Sequence, residues 1–216
     1  MKVELVDKMG SDLSVVNAAR VSYNKESEWM EIPFGGKTPG LLEERDEKLI
    51  RYLAKHNHWS PFGHTSLQIR VKAPIFVARQ LVKHQVGLVW NEVSRRYVDD
   101  EVEFYIPDTW RSRPENSKQG SGEEIIIYNI ESTLQFVKQT YENLLKANVA
   151  PEMARMVLPQ NMYTEWYWTG SVMAFARVCN LRCKPDTQWE TQQIANQILD
   201  ILKQEFPTST EYLCQM

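Results

Sequence analysis

Cysteine, net charge and long apolar runs are all scarce in this 216-residue chain, and each shortage closes a class of explanation. Cys179, Cys183 and Cys214 are too few and too irregularly spaced for a disulfide framework. The Cys179/Cys183 pair lacks the two-residue spacing and nearby histidines of a zinc site, so no metal is expected and the thiols read as buried or incidental ones in a reducing compartment. A formal net charge of −3 gives no general affinity for nucleic acid, and no RRM- or KH-like signature is present. No apolar run approaches the ~20 residues of a membrane span. Residues 1–7 alternate like a strand where a signal peptide would need an apolar core. These absences predict a cytoplasmic protein with neither a nucleic-acid nor a membrane partner. A GxGxxG fingerprint, internal repeats and low-complexity tracts are missing too.

What is present is ordinary globular material. Hydrophobic residues make up 43% and charged ones 25%, a balance that excludes intrinsic disorder. A chain of this length buries roughly 70–75% of its unfolded surface without staples, so one domain over 1–216 is expected. Ser11-Asp12-Leu13-Ser14 ahead of Val15, Val16, Ala18, Ala19 and Val21 predicts a capped first helix. The stretch 32–40, with three glycines and two prolines, reads as a loop. A helix over 42–56 sets Leu42, Leu49, Ile50 and Leu53 against a solvated acidic face of Glu43, Glu44, Asp46 and Glu47. Alternation over 64–72 predicts a half-buried strand. Pro74 then opens a helix ending near Gly87. A polar loop runs from Arg111 to Gly122, followed by a long helix over 123–147 and a short one over 152–157. Residues 162–169 are aromatic and β-prone, and helices from Val172 and over 187–206 finish the pattern. The sum is an α+β fold, with mixed helices packed on a mainly antiparallel sheet.

Positive charge gathers locally in this acidic chain. Arg79, Lys83, His84, Arg95 and Arg96 fall within eighteen residues against the single Glu92. Arg79 and Lys83, four apart, share one helix face, and Gln80 and His84 share the next. Such a cluster is a solvated basic turn or calls for an anion or a carboxylate network, and phosphate suits it through arginine forks, a hydroxyl and backbone N–H groups. Arg155 and Arg182 sit in apolar sequence settings, where arginine is rarely left unpaired, and add two more candidate anion-binding segments. Ser94 has no activating base beside it in sequence, so it reads as a phosphate contact and not as a nucleophile.

These residues resemble the flavin-dependent thymidylate synthase family, in which an Arg-His-Arg triplet leads through seven residues to the serine of Asn-Glu-x-Ser-x-Arg-Tyr. Here the run is Lys83-His84-Gln85, then eight residues to Ser94 within Asn91-Glu92-Val93-Ser94-Arg95-Arg96-Tyr97. Further matches follow in order: Val21-Ser22-Tyr23, residues 58–64, residues 71–80, Glu103-Phe104-Tyr105-Ile106-Pro107, residues 154–159, and Asn180-Leu181-Arg182 with Gln188-Trp189-Glu190.

The resemblance implies the family fold and reductive methylation of dUMP to dTMP, with methylenetetrahydrofolate as carbon donor and NADPH-reduced FAD as electron donor. It also implies a homotetramer with shared active sites. Carried over residue by residue, it assigns dUMP to Gln80, Glu92, Ser94, Arg95, Arg96, Arg155 and Arg182. FAD goes to Ser60, Lys83, His84, Gln85, Ser171, Arg177, Leu181 and Asp186, and the catalytic roles to Arg182 and His58. The triplet keeps only its histidine: Lys83 retains a charge without the fork, and Gln85 retains neither. Two other readings stay open. One is a different one-carbon transfer to a pyrimidine nucleotide, such as hydroxymethylation; the other is a nucleotide-binding homologue without flavin or catalysis.

Overall fold

The computed structural model describes residues 1–32, 36–97, 101–115 and 118–214. In chain order the elements are β1 (Lys2–Met9), α1 (Asp12–Arg20), β2 (Glu31–Ile32), β3 (Gly36–Lys37), α2 (Glu44–Lys55), β4 (Ser66–Pro74), α3 (Ile75–Leu81) and β5 (Leu88–Glu92). There follow β6 (Trp110–Arg111), β7 (Ile125–Ile126), α4 (Glu131–Lys146), α5 (Pro151–Ala154), β8 (Tyr163–Gly170), α6 (Val172–Arg182), α7 (Trp189–Glu205) and α8 (Pro207–Leu213).

The period-2 pattern of the strands organises the whole. One antiparallel sheet in the order β1-β4-β8-β5 turns Leu67, Ile69, Val71 and Ala73 of β4, with Trp166 and Trp168 of β8, into the core. Each such aliphatic side chain contributes roughly 1.5–3 kcal/mol relative to exposure. Phe175 and Val178 of α6, and Ile194, Ile198 and Leu202 of α7, meet that face. The alternate residues Arg70, Glu165 and Tyr167 point the other way. This is the expected α+β architecture of helices on an antiparallel sheet.

Several local expectations are corrected. The acidic face of α2 is not wholly solvated: Asp46 is fully buried, paired with Arg20 and accepting the Ser27 hydroxyl at 3.1 Å. Asparagine in a left-handed conformation stops α2 and α4, at Asn57 (φ 55°) and Asn148 (φ 60°), a backbone region asparagine tolerates. The long helix begins at Glu131 and not at 123, because Ile125–Ile126, within the expected helix, pairs with Trp110–Arg111 across the expected polar loop. The helix after Pro74 ends at Leu81, six residues before Gly87. Strand β5 and helix α8 were not expected at all. Within the expected loop 32–40, residues 33–35 lie outside the described residues, and β2 and β3 flank them. Cys179, Cys183 and Cys214 are free thiols. Among the described residues no helix is long and apolar enough to cross a membrane, and no group of three metal-ligating side chains forms.

Candidate active site

Three non-sheet segments build a wall. The N–H of Tyr105 donates to Asn161 O (2.8 Å), that of Ile75 to Met162 O (2.9 Å) and that of Phe76 to Gln160 O (3.0 Å). Neighbouring residues of this wall line opposite sides. Ile75, Leu158 and Met162 face a cleft of about 400 Å³ that also holds Glu92, Arg95 and Arg155. Phe76, Pro159 and Asn161 face a cleft of about 840 Å³ that holds Gln80 and Arg182. The residues predicted from sequence to meet one nucleotide thus divide between two sides of one chain.

In the smaller cleft, the end of β5 delivers Glu92. Its carboxylate is fixed at both oxygens, accepting the Thr164 hydroxyl at 2.8 Å and the Trp90 indole N–H at 3.2 Å. Trp90 is itself stacked on the buried Trp166, centroids 4.2 Å apart. Beyond the strand, the chain turns back at Ser94, whose Oγ accepts the Arg96 backbone N–H at 3.3 Å. The Arg96 guanidinium lies over the Tyr97 ring at 5.1 Å. Acidic residues around this cleft are largely spoken for: Glu165 pairs with Arg70, Glu103 with Lys72 and Glu101 with Lys138. Arg155, exposed, donates only to the backbone carbonyl of Glu152 at 3.3 Å and has no carboxylate partner among the described residues. That leaves a guanidinium fork available for an anion.

In the larger cleft, Arg182 is the last residue of α6 and projects its Nε–H onto His84 Nε2 at 3.0 Å. The acceptor nitrogen must be unprotonated for this bond. Burial, and secondarily the Arg182 charge, hold the His84 imidazole below its ordinary range, so it is neutral near pH 7. Arg182 is half-buried and meets no carboxylate among the described residues, so its charge is directed at the cleft and not cancelled. Gln80 is engaged on both ends of its amide, by Gln188 and by the Thr191 hydroxyl at 3.2 Å. Tyr105, Trp110 and Trp189 line the same space.

The residues expected around a flavin are spread along α6. Ser171 caps its start, accepting the Ala174 N–H at 3.2 Å. Gly87, in the left-handed region at φ 75°, passes so close that a Cβ there would stand 3.2 Å from Ala174 Cβ. The segment from His84 to Gly87 therefore runs alongside the helix. Arg177, exposed, lies on α6 between those two contacts. Ser60 opens a tight turn (Pro61–His64) that packs against α6. Arg79, Lys83 and Arg177 are exposed and have no ion-pair partner among the described residues. Leu181 is 49% exposed. His58 is exposed in a ring cluster with Tyr52 (5.8 Å) and His56 (6.4 Å). Asp186 lies next to Gly120, at the rim of the larger cleft.

Sequence reasoning gave no role to Glu190, Gln188, Arg111 or Tyr105, which join in one partly buried network on the cleft wall. The signals were the Gln188-Trp189-Glu190 match and, for Tyr105, the match over 103–107; nothing local marks Arg111, 79 residues away, as a partner.

Comparison with known proteins places these features. The model of the family described as "Thymidylate synthase complementing protein" matches residues 4–208. The chain is 42% identical over 216 residues to a flavin-dependent thymidylate synthase of Thermosipho africanus, covering 97% of this chain and 89% of the relative. To the flavin-dependent thymidylate synthase of Thermus thermophilus it is 41% identical over 209 residues, covering 95% and 72%. In three dimensions it is similar to a UMP/dUMP methylase, PolB, from Streptomyces cacaoi, crystallised with 5-Br dUMP. The TM-score is 0.78 at 31% identity, with 98% of this chain and 93% of that one covered.

Proposed function

Because the chain belongs to the flavin-dependent thymidylate synthase family of enzymes, we propose that it methylates dUMP reductively to dTMP, with FAD as its redox cofactor and NADPH and methylenetetrahydrofolate as co-substrates. The observation that carries this reading is Arg182, a half-buried cation with no carboxylate to neutralise it among the described residues, held by a neutral His84 at the mouth of an aromatic cleft. Carbon transfer to C5 of a pyrimidine moves electron density onto the ring oxygens. A fixed guanidinium stabilises that density where water is excluded. Arginine stays protonated, so Arg182 polarises the ring and does not act as a base.

The other residues hold and orient. Arg155, Ser94, Arg95 and Arg96 take the nucleotide phosphate and its surroundings. Glu92, fixed by Thr164 and Trp90, faces the ribose, and Gln80 meets the base edge. The wall between the two clefts supports a site completed by a second copy. One chain gives Gln80 and Arg182, and a symmetry mate gives Glu92, Ser94, Arg96 and Arg155, as in a homotetramer with shared active sites. The outward sheet face, with Val89 at 66% and Tyr167 at 43% exposure, is apolar enough to take part in such packing. His58 is assigned a place at the rim, beside folate and flavin.

The residues along α6 fit an anionic dinucleotide: Arg79, Lys83 and Arg177 are cations without partners among the described residues, and Gly87 brings backbone close. Lys83, Arg177 and backbone N–H groups would hold the diphosphate, with Ser60, His84, Gln85, Ser171, Leu181 and Asp186 along the rest. Bound there, FAD supplies the electrons for reduction. Lys83→Ala is expected to weaken FAD by about tenfold, the worth of one charge-assisted contact, and dUMP by less than about twofold. Parallel flavin and nucleotide titrations check this, and equal FAD affinity in the two proteins would contradict the Lys83 assignment.

A further inference from the structure

The network behind Gln80 has a direction. An ionised carboxylate only accepts hydrogen bonds, and Glu190 is 4% exposed at the first turn of α7. Its Oε1 takes the Arg111 guanidinium and, at 3.3 Å, the Tyr105 hydroxyl. Arg111 is held in turn by Ser121 Oγ at 2.9 Å and stacks over Trp189 at 5.0 Å. Paired with this cation, the Glu190 carboxylate serves the network as an acceptor. The second oxygen, Oε2, accepts the Gln188 amide N–H at 3.1 Å. The Gln188 carbonyl end must then face the other way, where it accepts the Gln80 amide N–H. That leaves the Gln80 carbonyl end on the Thr191 hydroxyl, at 3.2 Å.

The two ends of a glutamine amide have nearly the same shape and differ only in what they donate or accept. Thr191 does not decide the matter, because a hydroxyl serves either end. We propose that Glu190 is a specificity-determining positioning residue, whose acceptor-only carboxylate sets the amide orientation of Gln80 through Gln188 and so selects a uracil over a cytosine edge. Along the edge from position 4 to position 3, uracil offers an acceptor and then a donor, and cytosine offers the reverse. Gln80 keeps one free N–H and one free carbonyl lone pair. In one orientation they complement uracil; flipped, they complement cytosine. The inference rests on the proposed placement of Gln80 at the base edge.

The test is calorimetric titration of dUMP and dCMP into the flavin-loaded enzyme, in wild type, Glu190→Gln and Glu190→Asp. An amide at 190 can donate or accept, so Glu190→Gln frees the relay to flip. The ratio of dUMP to dCMP affinity is expected to fall by about tenfold, the cost of an unpaired polar group in the site. Glu190→Asp, still an acceptor, is expected to keep most of the wild-type ratio, which a merely structural role would not predict. If Glu190→Gln does not fold, Gln188→Met interrupts the relay while leaving the Glu190–Arg111 pair, and the same fall is expected. A wild-type ratio retained in the folded relay variant, or a wild type that does not discriminate, overturns the inference alone. A wild type that binds neither nucleotide overturns the placement of the site itself.

Discussion

Arg182→Ala is expected to lower kcat by about 10³-fold, the scale lost when a preorganised charge at the reacting atoms is removed, while dUMP still binds measurably. The expectation follows from where the charge is spent. In the proposed site the phosphate falls to Arg155, Ser94 and Arg96, and Arg155 lines the cleft on the other side of the wall, so truncating Arg182 leaves that anchoring in place. What is lost is the half-buried guanidinium that the proposal sets against the base, which meets no carboxylate among the described residues. The neutral His84 cannot substitute, because burial disfavours its protonated form. Steady-state turnover together with a dUMP titration checks the split. Turnover unchanged within about threefold would remove Arg182 from the chemistry.

The second expectation is recovery of activity on mixing. Arg155→Ala and Arg182→Ala damage opposite sides of the wall, and each homogeneous variant is expected to be nearly inactive. If a site takes Arg182 from one chain and Arg155 from another, random reassociation of equal amounts leaves about one site in four with both arginines intact, as closed symmetric assemblies require. Mixed, dissociated and reassembled variants should therefore recover about a quarter of wild-type turnover. No recovery, with reassembly verified by size, would mean that both arginines act from one chain. The geometry argues against that, since Ile75 and Phe76 at the start of α3 already face different clefts.

How much of this was legible in the sequence depends on whether the cause is local. The alternation of β4 is local, and the half-buried strand it predicts is there, with Leu67, Ile69 and Val71 buried. The cause of α8 is not. Its orphan N–H groups at Thr208 and Ser209 are accepted by the carboxylate of Asp12, at 2.8 and 3.0 Å, from a helix at the opposite end of the chain. Asp46 follows the same logic: its place in the helical period put it on the polar face, and only the approach of Arg20 makes burial tolerable. The helix expected over 123–147 takes in Ile127, but Ile127 is 97% exposed, because the adjoining hairpin consumes the residues that would have begun the helix. At the site, the resemblance assigned the arginines and the serine to one nucleotide. The wall that divides them is made of backbone bonds between segments over fifty residues apart, and no motif encodes it.

The measurement that bears most directly on the central claim is the visible spectrum of the purified protein after loading with FAD and removing the excess, recorded before and after adding dUMP. The account predicts a retained flavin band that shifts when dUMP enters, because the residues along α6 and those of the larger cleft meet at His84 and Arg182. A colourless protein that still binds dUMP would contradict it. That result would show that Lys83-His84-Gln85 no longer holds flavin, and that the chain binds a nucleotide without catalysing its methylation.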